Sequence, residues 1–283
     1  MKRNAIIRII AWTISLVILV GVLVAGMNWF RPFTSPLRGS EMISIENPGK
    51  LGSATVISDD IQEIEIDWVS GNIRLVPANV TSIEVSESTV DDAKYAMVCK
   101  QEGGTLEIDY CKNTTLKDLK NLKFSKDLTI LVPMDWSGRA LQVDAASAKL
   151  SVQDLTIREV EVDTASGTCQ FDHCTVDTLN VDTASGDVYF EGSLNRLDCD
   201  SASAGVEAVL DNVPNEIDMD SASGSVELVL PKDAGFVVNM DTMSGKFDSD
   251  FPYSAKNGVY VSGDGACRID MSSMSGKVSI RSK

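Results

Sequence analysis

Aspartate and glutamate recur at two fixed positions of a short repeat, and carboxylates at regular spacing can bind cations or basic partners. Each repeat centres on one serine: Ser70, Ser147, Ser166, Ser185, Ser203, Ser223, Ser244 and Ser275. The residue three before this serine, here called the Asp column, is aspartate except at Ser272. The residue five before it, the mixed column, is an acid or an amide. The acids of both columns are Glu65, Asp67, Asp144, Glu161, Asp163, Asp182, Asp198, Asp200, Asp218, Asp220, Asp241 and Asp270.

These acids predict a face that binds cations or a basic partner, and two interpretations compete for the Asp column. Its carboxylates could accept hydrogen bonds from the backbone of the following corner, as Asx turns do. They could instead hold Ca²⁺, which takes oxygen ligands, although the Gly-Gly-x-Gly-x-Asp calcium repeat is absent. Turn chemistry does not account for the mixed column, which lies farther from the corner. No other cofactor is predicted.

The residues between the acids are apolar, and this alternation indicates that β-strands position the carboxylates. In the repeat of Ser185, Leu179, Val181 and Val188 stand six before, four before and three after the serine, and the other repeats match. This period of two on both sides of a small-residue corner predicts two strands per repeat. Repeats of about 19 residues with like residues at like offsets favour stacking into a parallel β-solenoid. An antiparallel sandwich is the alternative.

The solenoid is predicted to span residues 42–283, with irregular rungs over 42–140 and regular repeats with a C-terminal cap over 141–283. The interval between Ser70 and Ser147 is close to four repeats, so degenerate rungs are expected between them. The repeat of Ser275 looks like the last rung, and Asn257-Gly258 before it predicts a tight turn.

The N-terminus carries a long apolar segment. Residues 9–30 contain no charged side chain, which is long enough for a transmembrane helix. Lys2, Arg3 and Arg8 precede it and predict a cytoplasmic N-terminus with an extracytoplasmic body. We therefore predict a cytoplasmic tip and anchor over 1–30 and a linker over 31–41. A cleaved signal peptide is the alternative, and both place the body outside the cytoplasm.

Composition narrows the function. With 25 basic and 41 acidic residues, the formal net charge of −16 disfavours nucleic acid as a partner. HExxH, GxSxG and phosphate-loop patterns are absent, and acids that recur in every repeat do not resemble a catalytic constellation. His173, the single histidine, is expected in a surface loop without a catalytic role. The six cysteines are interpreted as buried thiols, with disulfides as the alternative.

The repeats VDTASGDVYF (181–190) and MDSASGSVEL (219–228), with WVSGNIRLVP (68–77), resemble the bacterial family of candidate adhesins built from β-strand repeats, a domain of unknown function. The resemblance implies an all-β, right-handed parallel β-helix that is exported or membrane-anchored, and it brings no catalytic residues. We expect a non-catalytic surface or scaffold protein of the cell envelope. The alternatives are an envelope-stress sensor that binds a membrane partner or cationic peptide, and a glycan-active β-helix enzyme.

Overall fold

The computed structural model describes residues 43–44, 52–56, 61–88, 95–111 and 125–283. These residues form twenty strands: β1 (Ile43–Ser44), β2 (Ser53–Val56), β3 (Glu63–Ala78), β4 (Ile83–Glu87), β5 (Val98–Glu102), β6 (Thr105–Asp109), β7 (Leu128–Pro133), β8 (Ser137–Gln153), β9 (Thr156–Ser166), β10 (Cys169–Ser185), β11 (Val188–Ser201), β12 (Val206–Leu210), β13 (Glu216–Ser221), β14 (Val226–Leu230), β15 (Phe236–Thr242), β16 (Lys246–Ser249), β17 (Ser254–Lys256), β18 (Val259–Ser262), β19 (Cys267–Ser273) and β20 (Lys277–Ser282).

The predicted anchor over 1–30 and linker over 31–41 lie outside the described residues. Within the described ranges, no helix is long and apolar enough to cross a membrane.

The strands stack as rungs, and each regular rung adds one strand before its corner and one after it. The strands before the corner form the first sheet, in the order β1, β5, β6, β3, β8, β9, β10, β11, β13, β19, β15, β18, β17. Those after it form the second sheet, in the order β2, β4, β7, β3, β8, β10, β11, β12, β14, β20, β16. The regular rungs pair in parallel and in register, so the fold is an all-β solenoid and the antiparallel sandwich is excluded.

The N-terminal rungs do not stack in chain order. Strand β3 pairs directly with β8, Ser70 opposite Ser147, so no rung stacks between these two. The interval does hold one degenerate rung, β6 with β7, which pairs in parallel with β3. The intervening strands β4 to β7 lie on the other side of β3, and β4 and β5 run antiparallel to their neighbours. The interval length did not predict this order, because the chain builds β4 to β7 on one side of β3 and then places β8 on its other side.

The C-terminal rungs are also out of order. Strands β19 and β20, the rung of Ser275, lie between β13–β14 and β15–β16, so this rung is last in the chain but not in space. The stack instead ends at β15–β16 and at the hairpin of β17 and β18. Asn257 and Gly258 form the predicted turn of that hairpin, with φ of 53° and 81°.

The apolar columns fill the space between the two sheets. Ile64, Val181, Val226 and Ile269 are among residues that are at most 2% exposed. All six cysteines are buried, and the following five have free thiols, as interpreted from the sequence: Cys99, Cys169, Cys174, Cys199 and Cys267. Burial raises the pKa of Cys169 to about 12, which makes its thiol unreactive at neutral pH.

One charged pair is buried near the N-terminal end of the core. Lys126 is 2% exposed, and its Nζ lies 2.5 Å from Oε2 of Glu87. The same ammonium donates to the carbonyl oxygens of Tyr95 and Tyr110 and lies 3.9 Å from the Tyr110 ring centre. Desolvation lowers the pKa of Lys126, and the hydrogen bond to Glu87 opposes that shift. Removal of either partner would therefore leave the other as a buried charge without compensation.

Candidate functional site

The Asp column becomes a continuous row on the outer side of the first sheet. In-register pairing sets Asp67 opposite Asp144, Asp144 opposite Asp163, and Asp163 opposite Asp182. The row continues through Asp200 and Asp220. Because neighbouring strands lie about 4.8 Å apart, like charges are held at that spacing along six rungs. The structure thus joins the residues that the repeat alignment placed in one column.

The row differs from the alignment at both ends. Asp109 on β6 pairs with Asp67 and extends the row by one rung. The sequence carried a sign of this, because residues 106–110 (LEIDY) match residues 64–68 (IEIDW), but their repeat lacks the serine motif. At the other end Ser272 separates Asp220 from Asp241, so Asp241 does not join the row.

The mixed column runs beside the Asp column but is interrupted by amides. Gln142 lies between Glu65 and Glu161, and Asn180 lies between Glu161 and Asp198. Beyond this point Asp198, Asp218 and Asp270 are consecutive, and Asn239 follows. The amides space the charges, so repulsion is weaker here than along the Asp column.

Basic side chains of the chain itself neutralise both ends of the acidic face. Lys100 Nζ lies 3.0 Å from Oε1 of Glu107 and 2.7 Å from Oδ2 of Asp109. Toward the other end, Arg268 Nε lies 2.5 Å from Oδ2 of Asp270, and Oδ1 of the same carboxylate accepts a 2.6 Å hydrogen bond from the Asn239 amide.

Arg196 lies between these ends, 3.1 Å from Glu216 and 4.0 Å from Asp198. Among the described residues, no lysine, arginine or histidine forms an ion pair with the following members of the Asp column: Asp67, Asp144, Asp163, Asp182, Asp200 and Asp220.

This uncompensated stretch has raised pKa values. Loss of contact with water, followed by the charges of neighbouring rungs, raises the pKa of Asp144 to about 7. The same two causes raise Asp67 and Asp163 to pKa values of about 6, and hydrogen bonds with Asp144 hold those two values down. The pKa of Asp200 is likewise raised to about 7, by desolvation first and then by Asp182.

The Asx-turn interpretation of the Asp column is wrong. At the corners, the backbone N–H of Ala204 donates to Oγ of Ser201 at 3.2 Å, and that of Gly245 donates to Oγ1 of Thr242 at 2.8 Å. These hydroxyls stand two residues before the key serine. In an extended strand that residue points inward to the corner, whereas the aspartate before it points to the outer face. Hence, in the described part of the chain, turn chemistry does not offset the repulsion along the row.

Metal-ligand geometry is absent from the described residues, where no group of three or more His, Cys, Asp or Glu side chains could hold one metal ion. His173 lies apart from the acidic face, at the second corner of its rung, with φ of 53°. It is exposed, and its ring nitrogens lie 3.9 Å from Asp154 and 3.8 Å from Glu191. The face is therefore a distributed surface rather than a single chelating centre.

The outer side of the second sheet is more evenly charged at its C-terminal end. Arg281 lies 2.6 Å from Asp248 and 3.2 Å from Asp250, and Lys277 lies 3.8 Å from Asp248. The pKa of Asp248 is accordingly lowered, chiefly by its hydrogen bond from Arg281. Within the described ranges, the two sheets thus present different surfaces, and the long uncompensated row of acids lies on the first.

A protein-family model, Toastrack DUF4097, matches residues 61–208 and again residues 141–281. No curated protein matches the chain. Among solved structures, it is similar to a candidate adhesin from Bacteroides fragilis, with 14% identity, 82% of this chain and 97% of that chain covered, and a TM-score of 0.48.

Two further similar structures are a candidate cell adhesion protein from Clostridium sporogenes and a candidate lipid binding protein from Parabacteroides distasonis. The first has 12% identity, covers 83% of this chain and 99% of that chain, and has a TM-score of 0.37. The second has 14% identity, covers 84% and 99%, and has a TM-score of 0.40. Neither likeness bears on the activity of this chain.

Proposed function

The chain belongs to the Toastrack family, and we propose that this member is a non-catalytic scaffold of the cell envelope that holds a positively charged partner on its Asp column. The observation that carries the proposal is the contrast along the acidic face. Lys100 and Arg268 neutralise its two ends, while Asp144, Asp163 and Asp182 have no cation beside them among the described residues.

The uncompensated row is costly, and a bound cation would offset that cost. Two unit charges about 4.8 Å apart repel by about 0.9 kcal/mol in water, less in salt. Loss of contact with water, and after it this repulsion, raises the pKa of Asp144. Corner hydrogen bonds do not compensate for it, because they go to the hydroxyls of Ser201 and Thr242 instead. A partner with positive charges would relieve it directly.

The geometry favours a partner with several positive charges spaced along a chain, rather than a single chelated ion. The carboxylates form a line over six rungs, and no described group of ligands converges on one point. A basic peptide segment or the basic surface of an envelope protein fits such a line. Calcium binding along the Asp column is the competing outcome, and the experiment below distinguishes it from binding of a basic partner.

The envelope location rests on the sequence of residues 1–38, which combines an uncharged stretch over 9–30 with flanking lysine and arginine. We place the N-terminus in the cytoplasm and the solenoid outside, as a single-pass membrane protein. We also propose a right-handed path with rungs of about 19 residues, because parallel crossover connections are right-handed in about 98% of cases.

The test measures binding of labelled decalysine to the full-length protein in detergent micelles at low salt, by fluorescence anisotropy. The variant Asp144→Asn/Asp163→Asn/Asp182→Asn should lose about 3- to 150-fold in affinity, since each exposed ion pair contributes about 0.2–1 kcal/mol. The matched control Asp187→Asn/Glu207→Gln/Glu227→Gln removes three charges from the second sheet and should keep the affinity of the parent.

Equal losses in both triple variants would mean that only net charge matters and would refute a partner-binding row. Thermal melts with CaCl₂ and with NaCl at matched ionic strength supply the second arm. A rise in melting temperature that is specific to calcium, saturates and is lost in the first triple variant would replace the basic partner with a calcium ladder. Equal responses to both salts, with decalysine binding retained, support the proposal.

A further inference from the structure

The C-terminal rung holds the end of the solenoid in place. Strand β15 pairs only with β18 and β19, and β16 pairs only with β20, among the described strands. Strand β17 pairs with β18 alone. Every ladder between the terminal unit, residues 236–262, and the rung of β13 and β14 therefore passes through β19 and β20. Without that rung, a slot one strand wide would open in both sheets.

The slot fits one kind of segment closely. Its walls present the same columns on both sides: Met219 and Met240 each pair with Met271, and Ile217 and Val238 each pair with Ile269. A strand that fills it needs apolar residues at those positions and small residues at the corner. The C-terminal rung of a second copy meets these requirements by identity.

The connection that leads into the rung is short and crosses over the start of β15. Residues 263–266 join β18 to β19 and pack on Gly235, where a Cβ atom would lie 2.0 Å from Oδ1 and 2.7 Å from N of Asp264. Gly263 and Gly265 take φ of 57° and 71° in this crossover. Short hinge loops favour domain swapping, in which an identical element is exchanged between two copies.

We propose that the C-terminal rung, residues 267–283, exchanges between two copies of this chain, each copy filling the slot of the other. The slot between β13–β14 and β15–β16 is then the interface, and its occupant is β19–β20 of the second copy. All native pairings are kept in the exchanged pair, and only the crossover over Gly235 changes. Exchange is independent of what binds the acidic face.

The test uses two differently tagged, full-length copies expressed together. One carries Asp220→Cys and the other Ser272→Cys, positions that are directly opposite on β13 and β19. Neighbouring strands place such residues within disulfide range. The control pair, Asp163→Cys and Asp182→Cys, is opposite on β9 and β10, outside the exchanged rung. The free native thiols are buried, so they do not compete with the introduced cysteines for disulfide formation.

After oxidation with copper–phenanthroline, the proposal expects a covalent heterodimer from the first pair and none from the control pair. Combining Gly235→Ala with the first pair should increase the heterodimer, because the added Cβ displaces the crossover. Gly205→Ala should not increase it, since its Cβ would approach nothing closer than 3.2 Å.

A single-chain Asp220→Cys/Ser272→Cys variant tests whether the disulfide can form. If it cannot, the opposite pair Asp218→Cys and Asp270→Cys takes its place in the experiment. Absence of the heterodimer while the single-chain disulfide forms overturns the proposal. Equal heterodimer in the test and control pairs also overturns it, because proximity alone would then explain the link.

Discussion

Replacing Asp144 by asparagine should stabilise the protein, although it alters the most perturbed stretch of the acidic face. Asp144 lies between Asp67 and Asp163 in the row. Each neighbour at about 4.8 Å contributes about 0.9 kcal/mol of repulsion in water, so removing one charge relieves about 2 kcal/mol, and roughly half of that at physiological salt. The asparagine amide can also donate a hydrogen bond to a neighbouring carboxylate.

The gain should depend on pH with a definite sign. The pKa of Asp144 is raised from 3.8 to about 7, so the folded chain binds protons that the unfolded chain has already released. The free energy of unfolding of the parent therefore falls as pH rises from about 4 to about 7, and the full penalty is present above pH 7. At pH 8 the variant should be more stable by about 1–2 kcal/mol, and the difference should nearly vanish below about pH 4, where Asp144 carries a proton in both the folded and the unfolded chain.

Thermal unfolding of the full-length protein in micelles, followed by circular dichroism at pH 8 and just below pH 4, checks this. A gain of 1 kcal/mol corresponds to about 2–4 °C for a chain of this size. The matched control is Glu159→Gln, which removes one charge from β9 where Ala140 and Thr178 are the neighbours. The reasoning would be refuted if Asp144→Asn were no more stable than the parent at pH 8. It would also be refuted if the variant were stabilised equally at both pH values.

Three further predictions concern the core. Lys126→Met should lower the free energy of unfolding by about 3–5 kcal/mol, because Glu87 would stay buried without its cation, and adding Glu87→Gln should recover part of the loss in urea titrations. Gly224→Ala should cost about 1–3 kcal/mol, since a Cβ would lie 2.2 Å from the Ala204 carbonyl oxygen, whereas Gly205→Ala should leave the urea midpoint near that of the parent. The free buried thiols should react with Ellman's reagent at pH 8 only after unfolding, and rapid reaction of the folded protein would contradict their burial.

The repeat columns could be predicted from the sequence because each position meets the same environment in every rung. Period-two alternation places Val181 and Val188 inside and Asp182 outside, and the structure shows this arrangement. The turn chemistry could not be predicted in the same way, because aspartate and serine are both common corner acceptors. Only the strand path up to the corner decides that Ser201 faces the backbone N–H of Ala204.

The uncompensated stretch of the Asp column also needed three-dimensional information. The cations that neutralise its ends come from different places in the sequence. Lys100 lies on β5, which precedes the regular repeats and runs against them, and Arg268 enters with the inserted rung. Composition shows an excess of acids, but it does not show which of them have a basic neighbour.

The columns alone do not give the order of the last rungs, because equal columns would allow β15–β16 to stack directly on β13–β14. One position does distinguish them. Five residues after the key serine, the inward column holds Leu228 and Ile280, both fully buried, but Ser249 in the rung of β16. An interior rung would bury this hydroxyl in an apolar layer at a cost of about 1–3 kcal/mol unless it found a partner. At the end of the stack Ser249 stays partly exposed and its Oγ accepts the backbone N–H of Phe251 at 3.1 Å. The polar exception in an otherwise apolar column therefore marks β15–β16 as the terminal rung. The next rung in the chain, β19–β20, must then lie between it and β13–β14.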